Sequence, residues 1–112
     1  MRKFDYRAPR FAVDFPVRLA FDGSIQHGRC TEISTEGMRL EVREPLAPDA
    51  CGIVYLSFQD TTIELPVRVA HSGSFFEGVQ FVYATEEQRD EVNRLVTRLS
   101  SPSQRTRPML VR

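Results

Sequence analysis

The sequence predicts an all-β domain of six antiparallel strands, arranged as a barrel or a sandwich and followed by one C-terminal helix. Short runs in which apolar and polar residues alternate recur roughly every 8–12 residues, as is typical of strands that bury one face. No helical pattern separates these runs, so a parallel sheet with crossover helices is not expected. One amphipathic stretch near the C-terminus has the spacing of a helix.

The strand-like runs follow one another from Arg10 to Tyr83. Within the first run, Pro16 favours an edge position or a bulge, because proline cannot donate to a strand ladder. Asp22-Gly23 predicts a turn after this run, and the polar stretch 71–74 predicts another turn before the last run. The predicted strands cover residues 10–19, 24–33, 38–43, 53–58, 62–69 and 75–83.

The predicted helix begins after Thr85. Thr85 followed three residues later by Gln88 has the form of a capping box, in which two side chains satisfy free backbone N–H groups of the first turn. Pro102 predicts where the helix ends. The apolar residues that predict a stripe packed on the strands are Val92, Leu95, Val96 and Leu99.

The chain of 112 residues is expected to form one domain. A flexible basic arm is expected over residues 1–9, the barrel with its helix over residues 10–100, and a disordered basic tail over residues 101–112. Formal net charge is zero, so no nucleic-acid partner is expected. No apolar run approaches the roughly 18 residues of a membrane helix and no secretion signal is seen, so we expect a cytoplasmic protein without membrane insertion.

No sequence feature favours an enzyme. His27 and His71 lie on different elements without a nucleophile motif nearby, so they are interpreted as surface or barrel-rim residues. Cys30 and Cys51 are interpreted as reduced packing residues, with a single disulfide between them as the alternative, and no histidine is spaced to complete a zinc site with them. Cys30 in particular is expected to be buried rather than reactive. Without a glycine-rich phosphate loop either, neither a metal nor a cofactor is expected.

The stretch 32–37 joins the second and third predicted strands, and its residue types suit a small binding ledge. Glu32 and Ser34 are two positions apart on an extended segment, so their side chains share a face. Gly37 is expected to allow a backbone conformation that a Cβ would resist. A simple hairpin or bulge with incidental polar residues is the alternative interpretation.

Arginines near the N-terminus add groups that suit a guanine nucleotide. Arg7 and Arg10 flank Ala8-Pro9, where the arm meets the first strand. A guanidinium group pairs with a phosphodiester or with O6 and N7 of guanine, whereas the Glu32 carboxylate suits the N1–H and N2–H₂ donors. Ser34 would add one hydrogen bond. These residues predict a guanine-nucleotide site, and the alternative is a solvated basic arm.

Three segments carry a family resemblance. They are Arg10 with the residues that follow it to Val17, the stretch Glu32-Ile33-Ser34-Thr35-Glu36-Gly37, and Gly78-Val79-Gln80-Phe81. In this order, with the terminal helix, they resemble the PilZ domain, the bacterial receptor module for cyclic di-GMP. That family has an N-terminal RxxxR arm and a [D/N]xSxxG motif. The resemblance runs from about Arg7 to Leu99 and implies a six-stranded antiparallel split barrel closed by the helix.

The resemblance also implies a receptor that binds cyclic di-GMP and switches a protein partner. The arm would fold across an intercalated dinucleotide and reshape the surface offered to that partner, at an entropic cost that moderates the affinity. The implied ligand-binding residues are Arg7, Arg10, Glu32, Ser34 and Gly37, with Arg2, Tyr6 and Arg39 as further candidate contacts.

Two positions depart from the family pattern. Tyr6 stands four residues before Arg10, where the family has its first arginine, and Glu32 replaces Asp or Asn. Arg7 or Arg2 could substitute for the missing arginine, and Tyr6 could stack on a guanine. The alternative is a nucleotide-independent adaptor that acts through protein contacts, as family members with eroded motifs do.

Overall fold

Six antiparallel strands form a closed barrel that one helix follows, as the sequence predicts. The computed structural model describes residues 8–73 and 76–99. The elements are β1 (Phe11–Phe21), β2 (Ser24–Ile33), β3 (Gly37–Glu41), β4 (Cys51–Phe58), β5 (Thr61–Ser72), β6 (Phe76–Phe81) and α1 (Glu86–Leu99). The strands pair in the order β1-β2-β3-β6-β5-β4, and β4 pairs back with β1. Of the two predicted arrangements, barrel and sandwich, the chain therefore adopts the barrel.

The barrel encloses apolar side chains from alternating positions. Within β1, Val17 and Leu19 are buried, while Pro16 and Arg18 are exposed. Because successive side chains of a strand point to opposite faces, this alternation places one face of β1 inside. The helix α1 packs against β1 and β5. Its buried residues are those of the predicted stripe, Val92, Leu95, Val96 and Leu99.

Pro16 lies where β1 gains its second neighbour. β4 pairs with β1 only from Val17 onward, so the missing N–H of Pro16 removes no bond between these two strands. The register of β1 against β2 also shifts between Ala12 and Phe15, just before the proline. The predicted edge-like or bulged position is therefore confirmed.

The turn predicted over residues 71–74 is wrong at its start. β5 continues through His71 and Ser72, both of which pair with β6. A register shift just before His71 takes up one residue and lets the ladder go on. These polar residues therefore occupy exposed positions of a strand, where polar side chains are as suitable as in a turn. Ser74 lies outside the described residues.

Both predicted capping side chains hold the N-terminus of α1. The N–H of Gln88 donates to Oγ1 of Thr85 at 3.1 Å, and Oε1 of Gln88 accepts from the N–H of Ala84 at 2.7 Å. The glutamine thus reaches one residue beyond the usual partner of a capping box. Pro102 lies outside the described residues. Across residues 8–73 and 76–99, no helix is long and apolar enough to cross a membrane.

The two free cysteines differ in exposure. Cys30 of β2 is fully buried, and its thiol donates to the carbonyl oxygen of Glu32 at 3.2 Å. Burial raises the pKa of Cys30 to about 12, because the thiolate would lose its hydration. Cys51 is exposed at the start of β4. The interpretation as a packing residue is therefore confirmed for Cys30 and wrong for Cys51.

Iodoacetamide at about pH 8 is expected to alkylate Cys51 in the folded protein and to leave Cys30 intact. The thiolate is the nucleophile, and burial suppresses both its formation and its access at Cys30. Mass spectrometry of tryptic peptides locates the label. In Cys51→Ser, labelling should appear only after unfolding in urea, and alkylation of Cys30 in the folded protein would contradict its burial.

Candidate functional site

The pairing of β1 with β2 brings two separate parts of the chain together. Ala12 pairs with Glu32, so Arg10, which precedes β1, lies beside the end of β2. Nη1 of Arg10 is 3.3 Å from Oε1 of Glu32, and these side chains are 51% and 33% exposed. The ion pair lies at the surface, where such pairs contribute at most about 1 kcal/mol.

The hydroxyl of Ser34 organises the turn between β2 and β3. Its Oγ accepts the N–H of Glu36 at 3.0 Å and the N–H of Gly37 at 3.3 Å. The N–H of Ser34 donates to the carbonyl oxygen of Gly37 at 2.9 Å. The Ser34 residue is only 7% exposed. The hydroxyl that was expected to contact a ligand therefore holds the turn in this structure.

The carbonyl groups of the same turn are held from the side of β6. The N–H of Phe81 donates to the carbonyl oxygen of Glu36 at 2.8 Å, and the hydroxyl of Tyr83 donates to that of Thr35 at 2.6 Å. The Thr35 carbonyl shares a peptide group with the Glu36 N–H, and the Glu36 carbonyl belongs to the next peptide group. Two successive peptide planes are thus fixed, by the serine hydroxyl on one side and by Phe81 and Tyr83 on the other.

Gly37 is needed for a reason other than the predicted one. Its φ lies outside the left-handed region, so the expected special backbone conformation is wrong. A Cβ at this position would instead collide with the carbonyl oxygen of Val79 in the neighbouring strand β6. The missing side chain allows β3 and β6 to approach each other behind the turn.

A cleft of about 440 Å³ lies at this turn. Ala8, at the start of the described chain, also lines it. Among the eight predicted contact residues, the cleft is lined by Arg10, Glu32, Ser34, Gly37 and Arg39. The other three, Arg2, Tyr6 and Arg7, lie outside the described residues.

β5 and β6 supply a further wall of the cleft, which we did not predict from the sequence. Its exposed side chains include His71, Phe76 and Gln80. The guanidinium carbon of Arg39 lies 4.1 Å from the centre of the Phe76 ring, a cation–π contact. Strand alternation could have indicated this wall, because Phe76, Gly78 and Gln80 share one face of β6.

A buried carboxylate lies in the same wall. Glu77 of β6 is 0% exposed, and its Oε2 accepts the N–H of Leu46 at 3.1 Å. This bond ties the loop between β3 and β4 to the barrel. Oε1 of Glu77 is also buried and has no hydrogen-bond partner among the described residues. Strand alternation could have indicated this burial, because Glu77 shares the inner face of β6 with Val79 and Phe81.

The cleft suits an anionic, planar and polar ligand. Arg10 and Arg39 offer donors for phosphate oxygens or base acceptors, and Arg39 presents a flat cationic surface. The Glu32 carboxylate can accept from N–H donors. Within the part of the chain that the structure describes, no three His, Cys, Asp or Glu side chains are grouped to hold a metal ion.

Comparison with known protein families identifies the family that has this architecture. Residues 5–98 match the PilZ domain family, and the chain belongs to that family. PilZ domains are regulatory binding domains. The closed six-stranded barrel with a single C-terminal helix is the fold of their solved structures.

Solved structures of other PilZ proteins superpose on this chain. The PilZ domain of CeSA, from a cellulose-synthesizing bacterium, has a TM-score of 0.75 and 23% identity and covers 84% of this chain and 100% of its own. The complex of K. pneumonia MrkH with c-di-GMP has a TM-score of 0.74 and 17% identity, with coverage of 93% of this chain and 56% of MrkH. This chain therefore spans about half the length of MrkH. No curated protein sequence matches it.

Ser34→Ala is expected to lower the free energy of unfolding by about 1–3 kcal/mol, because two backbone N–H groups of the turn lose their acceptor. Urea denaturation followed by circular dichroism measures the change. Ser57→Ala is the matched control, since Ser57 is exposed and its hydroxyl pairs with that of Thr62 at 3.3 Å. The control should change stability by less than about 0.5 kcal/mol. Equal losses in the two variants would contradict the role of Ser34.

Proposed function

We propose that this protein is a cyclic di-GMP receptor and that the nucleotide binds in the cleft. The observation that carries this proposal is the meeting of two motif segments, Arg10 and the stretch from Glu32 to Gly37, at one cleft of about 440 Å³. Membership of the PilZ domain family supports it. MrkH, which has been solved in complex with c-di-GMP, has a similar fold.

The proposed ligand would replace the ion pair between Arg10 and Glu32. The two side chains bond to each other at 3.3 Å. Guanine offers O6 and N7 as acceptors for the guanidinium group and N1–H and N2–H₂ as donors for the carboxylate. Because the pair lies at the surface and contributes little to stability, replacing it by contacts with guanine costs little free energy.

Ser34 is proposed to act through the turn. Its hydroxyl holds the backbone N–H groups of Glu36 and Gly37. The fixed peptide planes would receive the nucleotide with little reorganisation, which favours affinity. Arg39, stacked over Phe76, would provide a surface for a guanine ring.

The N-terminal arm would complete the site. Arg7 immediately precedes Ala8, which lines the cleft. One residue of extended chain spans about 3.3–3.6 Å, so Arg7 is within reach of a bound nucleotide. Arg2 and Tyr6 are further proposed contacts. Ordering the arm costs conformational entropy and changes the surface near the cleft, which is how the receptor would switch a protein partner in a bacterial cytoplasm.

A nucleotide-independent adaptor is the second candidate function. Tyr6 occupies the place of the first motif arginine, and Glu32 already pairs with Arg10. The first feature removes one charged contact to a nucleotide, and the second satisfies the charges of Arg10 and Glu32 without a ligand. Calorimetric titration distinguishes the two functions, because an adaptor of this kind would give no binding heat with cyclic di-GMP at micromolar concentrations.

Arg10→Ala is expected to weaken cyclic di-GMP binding about ten- to hundredfold, because it removes a charge-assisted contact worth roughly 1.5–3 kcal/mol. Arg10→Lys should recover part of the affinity, since lysine keeps the charge but lacks the planar guanidinium group. Arg7→Ala should cost less, because Arg7 is out of register with the family motif. Isothermal titration calorimetry of the parent and the three variants measures this order.

Arg29→Ala is the matched control for Arg10→Ala. Arg29 is 49% exposed and pairs with Asp14 at 2.6 Å, so it matches Arg10 in exposure and in having a carboxylate partner. It lies outside the cleft and should leave affinity unchanged. If Arg10→Ala binds like the parent at an unchanged melting temperature, the site assignment is wrong. If the parent does not bind, the adaptor function replaces the receptor function.

A further inference from the structure

We propose that Tyr83 couples the turn 34–37 to helix α1, so that a ligand held at the turn is sensed at the helix. Tyr83 lies between β6 and α1, outside the three segments that carry the family resemblance. The inference deepens the proposed function and rests on it for the identity of the ligand. It makes Tyr83 a positioning residue that acts through the turn.

The hydroxyl end of Tyr83 holds the turn. It donates to the carbonyl oxygen of Thr35 at 2.6 Å, which is short for an O–H···O bond. The same peptide group carries the N–H of Glu36, which donates to Oγ of Ser34 at 3.0 Å. Rotation of this peptide would break these bonds, so the phenol and the serine hydroxyl together fix its orientation.

The ring of Tyr83 contacts the helix. The guanidinium carbon of Arg89 lies 4.6 Å from the ring centroid, within cation–π distance. Arg89 is in the first turn of α1, where its N–H donates to the carbonyl oxygen of Thr85 at 3.4 Å. The ring of Phe81 supports Tyr83 from the barrel, with centroids 5.7 Å apart. One side chain therefore joins the turn to the start of the helix.

The Tyr83 hydroxyl remains a donor at neutral pH. Burial raises the pKa of Tyr83 to about 12; the Arg89 guanidinium opposes this rise, and the Glu36 carboxylate adds to it. The phenol therefore keeps its proton and its bond to Thr35 under physiological conditions.

The start of α1 is held both by the turn and by the barrel. Gln88 ties it to β5, since its Nε2 donates to the carbonyl oxygen of Glu64 at 3.3 Å. Tyr83 ties it to the turn through Arg89. The small shift of the Thr35–Glu36 peptide that accompanies binding would move the phenol, and the rigid ring would pass that displacement to Arg89. The position of the helix then depends on the state of the turn.

Amide hydrogen exchange in the protein without nucleotide tests the coupling first. Tyr83→Phe removes the hydroxyl and keeps the ring, so it is expected to speed exchange at the Glu36 and Gly37 amides about three- to tenfold. Arg89→Gln substitutes a residue of the helix, away from the turn. It should still speed exchange at the same two amides about two- to fivefold, because the Tyr83 ring loses its cation–π contact.

Tyr55→Phe and Arg18→Gln are the matched controls. The guanidinium carbon of Arg18 lies 4.7 Å from the centroid of the Tyr55 ring, in a similar stacked pair outside the cleft. Both controls should leave exchange at the two turn amides unchanged. The coupling is wrong if Arg89→Gln leaves those rates unchanged, or if the controls raise them equally.

Titration with cyclic di-GMP then tests whether the ligand uses this link. In the parent, saturating nucleotide is expected to change exchange at amides in the first turn of α1. In Tyr83→Phe, affinity should fall about three- to tenfold, and the change in the helix should disappear even at saturation. A Tyr83 that only stabilises the fold would lower the melting temperature and leave the response of the helix intact, which would overturn the proposal.

A double variant separates one shared link from two independent effects. Tyr83→Phe combined with Arg89→Gln should weaken binding no more than Tyr83→Phe alone, whereas additive losses would contradict the link. If the parent does not bind cyclic di-GMP, the receptor function fails. The exchange rates without nucleotide still decide in that case whether Tyr83 couples the turn to the helix.

Discussion

The register of β1 against β2 is the constraint on which the cleft depends. The pairing of Ala12 with Glu32 places Arg10 beside the turn 34–37. The register shifts once, before Phe15, and from Phe15 onward the side chains of β1 alternate regularly between buried and less buried positions. Because side chains of a strand alternate with period two, a slip by one residue would turn Phe15 outward and carry Arg10 away from Glu32. The hydrophobic core and the candidate site therefore depend on the same set of hydrogen bonds.

Most of the fold could be predicted because its signals are local. Alternation marks β1, β3 and β5, and the cap at Thr85 depends on residues a few positions apart. The bond from Tyr83 to Thr35 joins positions 48 apart, and no local pattern carries it. The requirement for glycine at Gly37 likewise comes from the carbonyl oxygen of a neighbouring strand. His71 looked like a turn residue because only its pairing with β6 distinguishes a polar strand end from a turn.

The polar groups of the site are of two kinds that residue type alone does not separate. The Ser34 hydroxyl is buried and accepts two backbone N–H groups. The Arg10 side chain is exposed and that of Glu32 is half-buried, and one surface ion pair holds the two together. The first kind fixes the backbone, whereas the second can exchange partners at low cost. The motif residues could be named from the sequence, but this division of roles depends on burial and on contacts across the barrel.

Closure of the barrel restricts how another protein can recognise this domain. In the part of the chain that the structure describes, every strand has a hydrogen-bonded neighbour on each side for at least part of its length, and only short segments, such as residues 11–16 of β1 and 24–28 of β2, pair on one side alone. Partners that add a strand of their own to a sheet need a row of free backbone groups along an edge. A protein partner would therefore be limited to these short segments or would recognise side chains on the strands, the loops or the helix. Its specificity would then be set by surface residues, which can change during evolution without disturbing the ladder beneath them.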